Sequence, residues 1–237
     1  MTLTKENKPV SFQDLSWMDV ESYLQQDDRV AVITGACEQH GYLSLLTDTR
    51  IPVEIARRAC SREGVLFTPP VPYGISHVFS AYPGTLSLSP ETYLAVMRDL
   101  IEGLLAQGFR RVLVSNGHGG NTALLKILLG MLCDQHPDAR FGLFVWWEHP
   151  KVKEVEKETE LVSDHANWCE NFSFIRVRAI PTGEKEAVIL PAIAPSTEYR
   201  AVIGDGSFGG PYQASDETME RMLAAAVSGM VEALQEL

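Results

Sequence analysis

Two hydrophobic patterns alternate along the chain. RVAVITGA (29–36), VLFTPP (65–70), RRVLVSN (110–116) and RFGLFVWW (140–147) are continuous apolar runs rich in β-branched and aromatic residues, the pattern of strands buried on both faces. Between them apolar residues recur at helical spacing. S-W-M-D resembles a capping box that opens a helix near Ser16 and carries an apolar periodicity through Tyr23 and Leu24. TRIPVEIARRAC is helical in spacing. S-P-E-T gives the clearest helix start: Ser89 caps, Pro90 takes the first helical position and Glu91 favours the positive end of the dipole. That helix is predicted to run to about Gln107, with Gly108 as its left-handed terminator. Asn121 is read as the cap of another helix through Leu132, and SDETMERMLAAAVSGMVEALQEL closes the chain as a long amphipathic helix.

FIRVRAI (174–180) is read as an additional strand, and PPVPYGISHVFSAYPG as a loop. KVKEVEKETELVSD is charge-dense and reads as a solvated helix or lid segment. The order strand, helix, strand, helix, strand, helix, strand predicts an α/β protein: a three-layer α/β/α sandwich with a mostly parallel central sheet. With no internal repeat and no low-complexity linker, residues 1–237 are read as one domain.

Composition narrows the function classes. The formal net charge of −11, with no basic stripe, excludes a nucleic-acid partner, because phosphate binding needs clustered Lys and Arg. The cysteines at 37, 60, 133 and 169 form no C-x-x-C pair and read as reduced thiols of a cytoplasmic protein. MTLTKENKPVSFQDL lacks an apolar signal core, and no run is long enough to cross a bilayer.

In doubly wound proteins ligands sit beyond the carboxyl ends of strands. RVAVITGA leads into Cys37, Glu38, Gln39 and His40, with Asp48 close behind; RRVLVSN leads into Gly117, His118, Gly119 and Gly120; SDHANWCEN adds Asp164, His165 and Glu170. Carboxylates and imidazoles converging on one rim suit zinc or manganese, and a carboxylate can bridge two ions about 3.5–4 Å apart that share a hydroxide. Taken singly, each group has a plainer reading. Glu38 and His40 could be a hydrogen-bonded pair capping a strand end, Asp48 a helix cap, His118 a turn residue, and His165 with Glu170 part of a solvated helix. Cys37 or Cys169 as a nucleophile paired with His40 or His165 is a rival, weakened for Cys37 because the charge of Glu38 raises a thiol pKa. GDGSFG, residues 204–209, matches a dinucleotide fingerprint, but Gly210-Pro211 follows it and no nicotinamide cofactor is expected.

GACEQHGYLSLLTDTR, PPVPYGIS, YPGTLSLSPET, GFRRVLVSNGHGGN, HANWCEN and VIGDGS occur in the order and approximate spacing of the creatininase family, and the resemblance runs from about residue 15 to the last helix. It implies a metal-dependent amidohydrolase that cleaves a C–N bond of a small cyclic amide or a formamide with a hydroxide held by two divalent ions. Zinc is the leading candidate, with manganese or iron as alternatives. Residue by residue, the resemblance implies Glu38, His40, Asp48, His118 and Glu170 as ligands, with Asp48 bridging. It also implies His165 as the proton-transfer residue and Tyr73, Ser76 and Trp147 around the substrate. It brings a homo-oligomer, a hexamer by analogy.

The segment departs from the family pattern in Tyr42-Leu43-Ser44, in Asn167, Trp168 and Asn171 around Glu170, and in Phe79, where relatives often carry a histidine. Those changes keep two other readings open: a C–C hydrolase of a cyclic ketone or keto-sugar, and a non-catalytic metal-containing binding domain.

Overall fold

The computed structural model describes residues 10–237; MTLTKENKP, the start of the segment read as lacking a signal core, lies outside the described residues. In chain order the elements are α1 (Trp17–Leu24), β1 (Arg29–Thr34), α2 (Thr47–Glu63), β2 (Leu66–Phe67), α3 (Pro90–Gln107), β3 (Arg111–Asn116), α4 (Thr122–Gln135), β4 (Arg140–Val145), α5 (Pro150–Thr159), β5 (Glu184–Lys185), α6 (Ser196–Ile203), β6 (Gly210–Pro211) and α7 (Asp216–Gln235). Strands β2-β1-β3-β4 form one parallel sheet, in which Val30 sits beside Val112 and Val112 beside Phe141. The strand order steps outward from β1 in both directions, which puts the carboxyl ends of β1 and β3 side by side at a switch point.

The continuous apolar runs follow from burial on both faces. Ala31, Ile33, Leu113 and Phe144 point into a core filled by α2, α5 and α7, including Ile55, Met222 and Val227. Val30, Val32, Val112 and Val114 point the other way, onto Met97, Ile101, Leu125 and Leu128 of α3 and α4. Three layers result, as the alternation predicts. Among the described residues no helix is long and apolar enough to cross a membrane.

The helix signals hold in detail. Ser16 and Asp19 form the capping box, Ser89 Oγ accepts from the Thr92 amide, and Gly108 ends α3 at φ 111°. Asn121 precedes α4 but its side chain caps nothing; it is used between loops, as described below. FIRVRAI is not a strand. Residues Ser173–Ile175 make a single helical turn and Arg176 pairs only with Leu43, because no open sheet edge lies alongside to take up the alternation. RFGLFVWW stops being a strand at Val145, where Trp146–Glu148 turns towards α5. The charge-dense segment beyond it is a helix packed on α7, with Val152 and Val155 buried, and not a free lid. Helix α6 and the small β5–β6 ribbon have no counterpart among the sequence expectations.

The start of α2 is seated on two glycines. An added β-carbon at Gly35 would lie 2.3 Å from the Asp48 carbonyl oxygen, and one at Gly117 would lie 1.9 Å from the same atom. Only bare backbone at the ends of β1 and β3 lets the first turn of α2 come this close. Gly117→Ala is therefore expected to destabilise the protein by about 3 kcal/mol, the upper end of overpacking costs, as read by the urea midpoint; a change within 0.5 kcal/mol, the ordinary surface range, would contradict this seating.

Candidate active site

Glu38 and His40 follow the end of β1 on a segment pinned by Cys37, which bridges to Leu86, and by the Glu38 amide, which donates to the Leu45 carbonyl. Asp48 sits in the first turn of α2. His118 follows β3, and the side chain of Asn116 clamps its backbone: Oδ1 accepts from the His118 amide at 3.1 Å and Nδ2 donates to its carbonyl at 2.7 Å. Asn121 ties the neighbouring loops together, accepting from the Ile75 amide and donating to the Gly35 carbonyl. Glu170 comes from the turn Trp168–Glu170, oriented by the Ala166 amide, which donates to Oε2 at 2.7 Å. Ala166 adopts φ 56° to make that approach, a left-handed conformation that costs a non-glycine residue about 1–2 kcal/mol.

The five residues converge. Asp48 Oδ1 lies 3.0 Å from His40 Nε2 and Oδ2 lies 2.7 Å from His118 Nδ1, while Glu170 Oε1 is 3.7 Å from His40 Nε2 and Glu38 Oε1 is 3.5 Å from His118 Nδ1. Two groups of donor atoms within 4.8 Å of one another share Asp48: Glu38–Asp48–His118 and His40–Asp48–Glu170.

These atoms fit cations better than they fit each other. Glu38 Oε2, His40 Nε2 and Asp48 Oδ2 are buried without a satisfied hydrogen bond. An unsatisfied buried polar atom is costly, so three in one cluster mark a site built for a ligand. The outward nitrogens are occupied, His118 Nε2 by the Ile75 carbonyl at 2.8 Å and His40 Nδ1 by the Glu38 carbonyl at 3.4 Å. In the neutral rings this fixes the tautomers and aims a lone pair from each inward, as metal-binding histidines require.

Without a cation, protons hold the cluster together. Although burial opposes it, Glu38 and Asp48 push His118 up to about 9. Against the same opposition, Asp48 and Glu170 lift His40 well above its ordinary range. Burial and the Asp48 charge raise Glu38 to about 7, whereas the two imidazolium groups overcome burial and keep Asp48 below the usual carboxylate range. A metal must displace those protons. Loading at pH 7 is expected to release roughly two protons per chain, measured by calorimetry in buffers of different ionisation enthalpy, and fewer above pH 9 where His118 has already lost its own. Release that does not fall with rising pH would contradict this arrangement.

His165 faces the same cluster, with Nδ1 3.9 Å from Glu38 Oε1 and its ring 4.4 Å from that of His40. Glu38, His40 and His165 form a third possible donor group. Gln39, whose side chain was given no role from the sequence, decides the orientation of this histidine. Its Oε1 accepts from the Gly41 amide and its Nε2 donates to the Gly206 carbonyl, so the same NH2 group donates to His165 Nε2 at 2.8 Å. The neutral ring therefore carries its hydrogen on Nδ1, the site-facing atom, and has no lone pair there to give a metal. Burial and the neighbouring His40 charge lower His165 to about 4, which keeps it neutral at pH 7. Phe79 stacks on the ring at 4.8 Å and 15°.

The residues expected around the substrate separate. Trp147 lines the cavity above the cluster. Ser76 is fully buried and does not line the cavity; its Oγ lies 3.5 Å from His118 Nε2 and close enough to the Glu38 carboxyl to lower its pKa, against the larger effect of burial. Tyr73 is 43% exposed and does not line the cavity; the next residue, Gly74, packs against the Asn121 side chain. The unusual neighbours of Glu170 are structural. Asn167 Nδ2 donates to the carbonyls of Val162 and Gly209, Trp168 donates to Val162, and Asn171 joins Tyr212 to Arg176. GDGSFG follows helix α6 and not a strand, and its Gly206 carbonyl is the one that orients Gln39. Both candidate thiols are poor nucleophiles: burial raises Cys37 and Cys169, and the charges of Glu38 and Glu170 respectively add to it.

The chain is 30% identical to the creatinine amidohydrolase of Pseudomonas putida over 126 residues, 50% of this chain and 48% of that protein. It is 31% identical to the mycofactocin precursor peptide peptidase of Mycobacterium tuberculosis (strain CDC 1551 / Oshkosh) over 121 residues, 46% of this chain and 48% of the relative. The match thus spans about half the length of these curated relatives. The solved structure described as creatininase Mn superposes with a TM-score of 0.82 at 22% identity, covering 97% of this chain and 98% of the other, which establishes the fold. The family model for creatinine amidohydrolase matches residues 13–234, so the chain belongs to the creatininase family.

Proposed function

We propose that the protein is a metal-dependent amidohydrolase that cleaves the C–N bond of a small cyclic amide or a formamide. In this reading two divalent cations are held by Glu38, Asp48 and His118 and by His40, Asp48 and Glu170. The observation that carries it is the Asp48 carboxylate, which belongs to both donor groups and is flanked by buried atoms with no other partner. Oxygen and imidazole donors with no thiolate suit zinc, and manganese or iron equally satisfy them. Bound there, such ions lower the pKa of water and polarise a carbonyl.

The chain's own groups do the rest. His165 presents Nδ1 to the reacting bond and handles the proton that the leaving nitrogen needs, help worth about 10²–10⁴-fold. Its neutrality at pH 7 leaves it free of charge repulsion from the cations. Because Nε2 accepts from Gln39, the resting ring only donates a hydrogen bond from Nδ1; to deliver a proton it would first release that contact, shift its hydrogen to Nε2, take a proton at Nδ1 from the attacking water and then pass it to the leaving nitrogen. Phe79 and Trp147 exclude water from the space above, which strengthens every charge interaction below.

The keto-sugar alternative is the second reading: the walls are mostly apolar, with His77, Lys153, Glu156, Ser163 and Asp164 as the groups that could meet a polyol's hydroxyls. The experiment is hydrolysis of creatinine, small lactams and N-formyl amines by zinc- or manganese-loaded protein, before and after dipicolinate. Activity that disappears with the chelator, returns with metal and survives thiol alkylation is expected. Activity that persists in metal-stripped protein would overturn the reading; full metal occupancy with no hydrolysis of any of these amides would make the protein a binding domain.

A further inference from the structure

We propose that the substrate carries, beside its scissile amide, a neutral apolar arm of aromatic size together with one hydrogen-bonding group; the proposal rests on the amidohydrolase reading and names its substrate class. The cavity over the metal-ligand cluster has a volume of about 610 Å³. A six-carbon ring fits a cavity of about 150 Å³, so a small lactam or formyl group over the cations leaves most of the space unfilled. The remainder is walled by Val78, Phe79, Leu190, Pro191, Tyr199 and Phe208. Phe79 and Phe208 lie 6.0 Å apart and both contact the His165 ring, at 4.8 Å each, so the apolar wall begins where the proposed chemistry ends.

The charges of the wall are already spoken for. Lys153, the lysine lining the cavity, pairs with Glu156 at 2.7 Å, and Asp164 Oδ1 accepts from the His165 amide at 2.8 Å. An anionic arm would find no free cation there and would face Glu156 and Asp164 at close range. Among the described residues of the wall the His77 ring is not engaged, nor is Ser163 Oγ, which is buried and has no hydrogen-bond partner. Rotation of the Ser163 side chain into the cavity would let a substrate carbonyl or N–H satisfy that atom, and an apolar wall with a few orienting polar groups is the usual make-up of a specific small-molecule pocket.

Three hydroxamates with the same chelating head test this by calorimetric titration of the zinc-loaded protein: acetohydroxamate, 3-phenylpropionohydroxamate and the monohydroxamate of succinate. The phenyl compound is expected to bind at least about 30-fold tighter than acetohydroxamate, the gain from burying one aromatic ring, and the succinate compound no tighter than acetohydroxamate. Leu190→Ser, at a half-buried position where the fold is little affected, is expected to cut the phenyl preference at least about 5-fold. Equal affinity of the phenyl and acetyl compounds, or tighter binding of the succinate compound, overturns the apolar arm and leaves the metal centre standing. Failure of all three to bind protein that contains its zinc overturns the reading of the cluster as a centre open to substrate, and the arm with it.

Discussion

Asp48→Ala is expected to empty both cation sites, whereas Glu170→Ala empties one. Asp48 is the member common to the two donor groups, its oxygens 3.0 Å and 2.7 Å from His40 and His118, while Glu170 serves only the group that contains His40. Removing one partner from a buried charged set costs about 3–5 kcal/mol, or about 10²–10⁴ in affinity, and in this reading the loss falls on both ions at once. Elemental analysis after dialysis reads the result as metal per chain, with hydrolysis falling in parallel by at least about 10³-fold. Asp48→Asn keeps the volume and one weak oxygen donor, so it separates loss of charge from loss of packing in a buried turn. An Asp48→Ala protein that keeps as much metal as Glu170→Ala would show that the carboxylate is not shared.

His165→Ala should lower turnover by about 10²–10⁴-fold and leave the metal content of the protein unchanged. The prediction separates two roles that geometry alone places close together, because His165 also stands within reach of Glu38 and His40 as a donor group. The Gln39 amide makes the difference by placing the hydrogen on the inward nitrogen. If the variant loses an ion, His165 is a ligand and its proton-handling role is wrong. Gln39→Leu removes the constraint without touching the cluster, and the nitrogen chemical shifts of His165 should then report a mixture of tautomers in place of Nδ1–H alone.

Much of the scaffold was legible because its causes are local. Continuous β-branched runs mark β1, β3 and β4, and Ser89, Pro90 and Gly108 mark the ends of α3 through chemistry confined to one turn. The convergence of Glu38, His40, Asp48, His118 and Glu170 was readable through a motif resemblance, since spacing alone left a plainer reading for each. The connections that hold them were not readable. Asn121 reaches Gly35 across 86 positions and Gln39 reaches His165 across 126, and no periodicity encodes a side chain that bonds a distant backbone. FIRVRAI failed for the opposite reason: its alternation is real, but a strand needs a neighbour, and only Ile175 finds a buried place. Tyr73 was placed near the substrate by the loop resemblance, and its side chain is 43% exposed outside the cavity.

The glycine seat under α2 gives this architecture an economy of inheritance. With the Asp48 carbonyl resting on the α-carbons of positions 35 and 117, the main chain fixes the point from which the Asp48 carboxylate reaches into the cluster. Everything that would tell one amide from another hangs on separate stretches, near 75–79, 163–165 and 190–208. Descendants of such a chain can rewrite their appetite in those stretches generation after generation while the anvil beneath stays the same.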